Sequence, residues 1–274
     1  MFFKRLRRNK LAVAGAVMLL FLVFVALTAP LLATHSPYKL SIKNRLKPPS
    51  LNHYFGTDSF GRDLYSRVVY GTSIALKVGA LSITFALVTG VIIGLFAGYF
   101  RGIVDTIVMR VMDAILSFPT ILLAIGIMAI LGSGFINLMI ALGLVYVPRF
   151  ARVVRSSVLS IREKEYVEAA RITGCDHLTI MFSHILPNCW APVIILATIS
   201  FGYAILWEAA LSFLGLGAPP PSPSWGSLLS EGKEFMTKAP WMTYFPGIAI
   251  AIAVLGLNLL GDGLRDVLDP RLKE

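Results

Sequence analysis

Long stretches of this chain carry no charged residue. They run between Lys10 and His35, Lys77 and Arg101, Asp113 and Arg149, and Lys238 and Asp262. An uncharged apolar run of about 18 or more residues reads as a membrane-spanning helix, because lipid offers the backbone no hydrogen-bond partner and a helix satisfies its own groups. The run from Ala114 to Pro148 is too long for one helix, and Gly132-Ser133-Gly134 divides it. Six spans are expected, near residues 11–33, 75–99, 115–132, 135–155, 189–215 and 243–263. Composition agrees: 15% of residues are charged and the mean hydropathy is +0.75, against about 25% charged for a soluble domain. The expected fold class is an all-α membrane protein with six transmembrane helices.

The net charge is +10 and the pI about 9.8. No basic stripe with interleaved aromatics accompanies it, so nucleic acid is not an expected partner. Lys and Arg instead collect in cytoplasmic loops. With the N-terminus inside, sixteen of them fall on the inner side and eight on the outer, Lys77 sitting at a span edge. Both termini are therefore expected in the cytoplasm. Leu11 to Ala33 is longer than a signal-peptide core and no A-x-A site follows, so it reads as an uncleaved first span. The division expected is 1–71 for the basic N-terminus, first helix and outer loop, 72–262 for the transmembrane domain, and 263–274 for a cytoplasmic tail.

The connections differ in character. The outer loop from Thr34 to about Thr72 is punctuated by Pro and Gly and reads as irregular. Within it Asp58 and Asp63 suit a turn around Gly61, accepting backbone N–H bonds. The order needed for a calcium loop is missing. By location, Asp58, Arg62 and Asp63 are candidates for a site on the outer face. A second outer loop, about 216–242, carries Pro219-Pro220-Pro221-Ser222-Pro223 and must be extended. Trp225 and Trp241 bracket it, where indoles favour the membrane–water boundary. The inner connection from Ser156 to Pro187 is long and helix-patterned. Glu163 to Arg171 reads as a helix, Gly174 as its left-handed closure, and Asp176 as the cap of a second helix over His177–Leu186. That helix places Leu178, Met181, Phe182 and Ile185 on one face.

Inside the spans, Glu208 is a functional candidate by default, since an ionisable group in lipid is costly. Ser212 shares its face one turn on. Pore lining and an interhelical packing bond are both open for it. Asn258 is a weaker pore candidate, and Asn137 resembles it. Gly90, Gly94 and Gly98 form a close-packing face. Cys175 and Cys189 make no metal pattern and sit where a disulfide is not expected. The four histidines show no paired-ligand spacing, so no metal site is expected.

Glu168-Ala169-Ala170, then Gly174, then Leu186-Pro187 resembles the EAA loop of membrane subunits of ABC importers. His184 stands where the family pattern has Ile. The segments Gly56–Asp63, Leu211–Gly217 with Pro223–Gly226, and Gly261–Asp266 with Asp269-Pro270-Arg271 extend the resemblance over nearly the whole chain. Together they resemble the C-type permease of the dipeptide/oligopeptide/nickel group. The resemblance implies the type I importer fold and alternating access. It implies a coupling loop of Glu165, Glu168, Ala169, Ala170, Arg171, Gly174, Leu186 and Pro187 that docks on an ATPase. The implied partners are a second permease in a heterodimer, two ABC ATPase subunits carrying ATP and Mg, and an extracytoplasmic substrate-binding protein. Peptides are the expected cargo, with nickel chelates or glutathione as alternatives.

No GxxxxGK[ST] loop is present, so the energy must come from a partner. No catalytic constellation is present either, and the chain is not expected to be an enzyme. A self-sufficient secondary transporter or channel is the competing class. It predicts several ionisable residues at mid-membrane, and the spans offer one strong candidate.

Overall fold

A computed structural model describes residues 9–268, so Lys4 to Arg8 and the Asp269-Pro270-Arg271 part of the tail lie outside the described residues. Among the described residues the chain is helical, with a single isolated bridge between Thr57 and Asp63. Helix α1 (Lys10–Leu27) starts under the Asn9 side chain, which accepts from the Leu11 and Ala12 N–H groups. It stops at Thr28, and Pro30 opens a separate turn, Ala29–Leu32. The first span is thus shorter than its apolar run.

Helix α2 (Leu64–Phe100) has 37 residues, about 55 Å at 1.5 Å per residue. It overshoots a hydrocarbon core of about 30 Å. It begins inside the stretch read as irregular loop to Thr72, which corrects that expectation. The cause is local: Asp63 caps the helix, its Oδ2 accepting from Ser66 N at 2.8 Å.

The expected third span is a bent pair. Helix α3 (Gly102–Leu116) meets α4 (Thr120–Leu131) at 95°, where Pro119 disfavours helix at Phe118. Twelve-residue α4 is only about 18 Å long. Amphipathic α3 exposes Ile103, Val104, Ile107 and Val111. Among the described residues five helices are long and apolar enough to cross a membrane, or six if the bent pair is one span.

Helix α5 (Phe135–Ile161) accommodates Pro148, and α6 (Glu165–Ile172) follows after a short turn. The chain from His177 to Phe213 is one helix, α7, with a π-helical stretch at Ile180–Ile185. Pro187 therefore does not separate a short helix from a span. It occupies the first turn after the π stretch, where a missing N–H costs least. The wider π spacing also turns Ile180, Met181 and Ile185 inward, while Leu178 and Phe182 stay exposed, correcting the expected face. Helices α8 (Trp225–Lys233) and α9 (Trp241–Leu268) complete the chain.

The α2–α5 pair forms the centre. A Cβ at Gly94 would lie 2.4 Å from the Ala151 carbonyl oxygen, and one at Gly90 2.5 Å from Phe150 Cβ. These glycines bring two backbones together without a void, which is how helices associate where no hydrophobic driving force acts between them. Leu95, Tyr146, Phe150 and Val154 are fully buried along the seam. Helix α1 runs antiparallel to α9, with Asn9 Nδ2 donating to Asp266 Oδ2 at 2.9 Å.

Candidate functional site

The two ends of α2 carry the two clusters of polar chemistry. At the Phe100 end, α6 is an eight-residue helix with one buried side. Val167 and Ala170 are buried in a core shared with Tyr99, Val158, Ile161, Met181 and Ile185. Glu165, Glu168, Ala169 and Arg171 are exposed. The two alanines divide: Ala169 is at the surface, and Ala170 is part of the core. Gly174 closes the helix at φ +83°. Cys175 N donates to the Ala170 carbonyl and Gly174 N to the Arg171 carbonyl, each at 3.1 Å, the Schellman pattern. Asp176 then caps α7 through Thr179 N at 3.1 Å. Hydrogen bonds from the Thr179 side chain and backbone hold the Asp176 carboxyl below its ordinary range.

This segment is tied to the bundle at few points. The Tyr99 hydroxyl and His177 Nδ1 are 2.7 Å apart. Arg162 Nη1 donates to the Tyr99 carbonyl at 2.5 Å, and Arg101 pairs with Glu163 at 2.7 Å. Arg171 lies 5.8 Å from the Tyr99 ring centroid. Arg155 binds Asp105 through two nitrogens, at 2.5 and 2.6 Å, and Arg152 binds Asp113 at 2.6 Å, fastening α3 to α5 at the same end. Leu186 is half-buried and Pro187 exposed on the following turn.

At the Asp63 end, Asp58 is fully buried and accepts from Phe60 N, Arg62 N and Arg62 Nε at 2.8, 2.9 and 2.6 Å. Arg62 Nη2 reaches Glu231 on α8 at 2.6 Å, and Arg67 Nη2 reaches the other oxygen of Glu231 at 3.1 Å. Arg67 Nη1 also lies 3.2 Å from Asp58, close enough for charge attraction but not aligned to donate. Two carboxylates and two guanidiniums thus alternate, stapling the loop before α2 and the first turn of α2 to helix α8. Trp225, expected at the membrane boundary, is fully buried instead, its Nε1 donating to the Val68 carbonyl at 2.9 Å. Trp241 Nε1 donates to the Thr57 carbonyl at 3.2 Å. The indoles serve as struts because their N–H groups find backbone carbonyls within the fold.

The pore candidates separate. Glu208 is fully buried, its Oε1 accepting from Ser212 Oγ at 2.7 Å, and its Oε2 has no partner among the described residues. Ser212 lines a cavity of about 880 Å³ shared with Ser59, Phe60, Glu231 and the Pro219–Pro220 turn, but Glu208 does not. Asn258 is half-buried near Gly202, about 9 Å along α7 from Glu208 by helix rise. A second cavity of about 820 Å³, across the Ala218–Pro219 stretch, is lined by Tyr38, Tyr70, Asn137 and Lys77. Lys77 was placed at a span edge by the sequence. It lies 13 residues into α2 and is exposed to that cavity. Its signal was the charge itself, and the early start of α2 hid its depth.

An all-helical bundle with paired glycine seams and an exposed helix hung beneath it defines a membrane permease subunit, and comparison with known proteins gives the family. Residues 90–274 match the binding-protein-dependent transport system inner membrane component family, and residues 1–49 match the N-terminal transmembrane domain of oligopeptide transport permease C. The chain belongs to that family of inner-membrane, multi-pass transport components, and it is the permease rather than the ATPase. Membership implies ATPase and binding-protein partners. A dipeptide transport system permease protein DppC of Alkalihalophilus pseudofirmus is 49% identical over 99% of this chain and 89% of its own. A di/tripeptide transport system permease of Pseudomonas aeruginosa is 42% identical, covering 99% and 92%. A glutathione transport system permease GsiD of Pectobacterium atrosepticum is also 42% identical, covering 99% and 91%. Among solved structures, an amino acid ABC transporter has a TM-score of 0.55 at 18% identity, over 76% of this chain and 95% of that one, a likeness of fold.

Proposed function

We propose that this chain is one of two permeases of an ATP-driven importer of di- and oligopeptides, working by alternating access. The observation that carries the reading is α6: a short helix anchored through Val167 and Ala170, with Glu165, Glu168, Ala169 and Arg171 left for a partner. A rigid, closed helix transmits movement that a floppy loop would absorb. In this reading α6 and both termini are cytoplasmic, and two ATPase subunits, which hold ATP and Mg, grip α6 at each permease. Their closure moves α6, and the Tyr99–His177 and Arg162–Tyr99 bonds carry the displacement to α2. The docked partners differ between states, and that difference biases the inward–outward equilibrium. A sister permease completes the pore, and a binding protein delivers cargo at the Asp63 end, where Asp58, Arg62 and Asp63 hold the loops in shape.

Peptide cargo is favoured over glutathione and nickel chelates because peptide permeases include the more similar relatives. The test is uptake of a labelled dipeptide into vesicles carrying the complete complex with its binding protein. Gly174→Pro removes the N–H bonded to Arg171 and cannot adopt the positive φ; Glu168→Lys reverses a charge on the exposed face. Each should cut ATP-driven uptake at least tenfold while membrane insertion persists. Undiminished uptake in both, or uphill uptake by vesicles bearing this polypeptide alone, would sink the proposal and favour a secondary transporter.

A further inference from the structure

Three potential metal ligands meet at the Asp63 end, drawn from segments far apart in the sequence. His35 follows α1, His53 sits in the loop, and Asp63 opens α2. One ligand atom from each lies within 4.8 Å of the other two. His53 Nδ1 is 2.8 Å from Asp63 Oδ1 and His35 Nδ1 is 3.7 Å from the same oxygen. The imidazole centroids are 4.7 Å apart. In a tetrahedral site with bonds of about 2.0–2.2 Å, neighbouring ligand atoms stand about 3.3–3.5 Å apart. The two separations from Asp63 Oδ1 bracket that spacing, and the histidine-to-histidine separation, within 4.8 Å, closes to it by an ångström-scale turn of the exposed His35 ring.

The surroundings are built to orient this set. The Asp63 side chain is 1% exposed. Its Oδ2 is occupied by Ser66 N and Ser66 Oγ, at 2.8 and 2.7 Å, which aims Oδ1 at the two rings. Ser66 Oγ also accepts from the His35 backbone N–H at 3.1 Å, so one hydroxyl positions both ligand-bearing segments. Outer bonds of this kind commonly fix the first ligands of a metal. His53 is 12% exposed and His35 45%, leaving one side open to water. Thr34 Oγ1, 3.0 Å from His35 Nδ1, is the group a metal would displace from that nitrogen.

We infer that His35, His53 and Asp63 form a binding site for a first-row divalent metal of the Zn²⁺ class, which clasps the tail of α1 and the following loop to the start of α2. Two imidazoles and a carboxylate suit such borderline ions better than Ca²⁺ or Mg²⁺, which take oxygen ligands. Each neutral ring binds through Nδ1 and keeps its proton on Nε2. Metal binding here is read directly on the protein, so its test needs neither transport nor ATP.

The experiment uses the assembled complex, purified with a tag free of histidine and stripped by a chelator. Co²⁺ is titrated with visible absorption as readout, and Zn²⁺ by calorimetry. The expected result is one Co²⁺ per chain of this permease, with visible d–d bands that Zn²⁺ abolishes. The double variant His35→Ala/His53→Ala should lose this binding. Ser66→Ala, which touches no metal, should weaken it about tenfold while the bands persist. If the double variant fails to assemble, His35→Gln alone, at an exposed position, must weaken Co²⁺ at least tenfold. Wild-type complex without a one-per-chain site, or variants that bind as the wild type does, would overturn the inference.

Discussion

The two ends of α2 solve opposite problems. At the Asp63 end, Asp58, Arg62, Arg67 and Glu231 are locked to one another, with Asp58 and Arg67 almost wholly buried. The Trp225 and Trp241 indoles add bonds to the Val68 and Thr57 carbonyls there. At the Phe100 end the charged side chains of α6 are exposed and form no ion pair among the described residues, and the segment is joined to the bundle by one apolar side and a few polar bonds. A buried ion network holds a shape. An exposed helix on a narrow base offers a handle. The difference teaches that charge in this molecule fixes loops to one another where it is internal and leaves a helix face uncovered where it is external.

Four predictions break or sharpen that contrast. The largest effect is expected from Asp58→Ala, which strands Arg62 and Arg67 in a buried setting. Removing one partner of a buried pair costs about 3–5 kcal/mol. Thermal unfolding of the purified complex should show it, and an unchanged midpoint would mean the network is not what fixes this end. Next, Trp225→Phe keeps the packing but deletes the bond to Val68, worth about 0.5–1.5 kcal/mol. A loss well above that would show that the ring's shape matters more than its N–H.

At the other end stability and function should separate. Glu168→Lys changes an exposed side chain, so the unfolding free energy should move by less than about 0.5 kcal/mol, even as ATP-driven uptake fails. A substitution that lowered both together would return α6 to an ordinary structural role. The smallest effect concerns pH. Asp176 has its pKa depressed by the Thr179 bonds. Its capping contribution is therefore complete above the ordinary carboxylate range and is lost as pH falls through the lowered value. Amide exchange at Thr179 should quicken only in acid, and Asp176→Asn, which also caps, should remove that pH dependence.

Much of the bundle was legible without coordinates because its signals are local. Spanning helices follow from runs lacking charge, the α6 closure from a glycine after a helical pattern, and the α2–α5 seam from Gly90, Gly94 and Gly98. What failed were readings that needed distant partners. The loop boundary at Thr72 was misplaced because Arg67 and Gly71 look like surface residues until Glu231 and Trp225 arrive to bury them. Trp225 looked interfacial because its acceptor, the Val68 carbonyl, is 157 residues away. The bend at Ser117–Pro119 lay beyond a hydropathy reading, which counts apolar residues and not direction.

Sequence by itself settled that the chain is a helical membrane protein with a long, helix-patterned connection between its fourth and fifth spans, since solvent preference and helix capping act over a few neighbouring residues. Only the tertiary structure decided which charges are buried together, that Ala170 faces inward while Ala169 does not, and that His35, His53 and Asp63 converge. Those outcomes depend on chain segments separated by tens to hundreds of residues meeting in space, and no local preference encodes such a meeting.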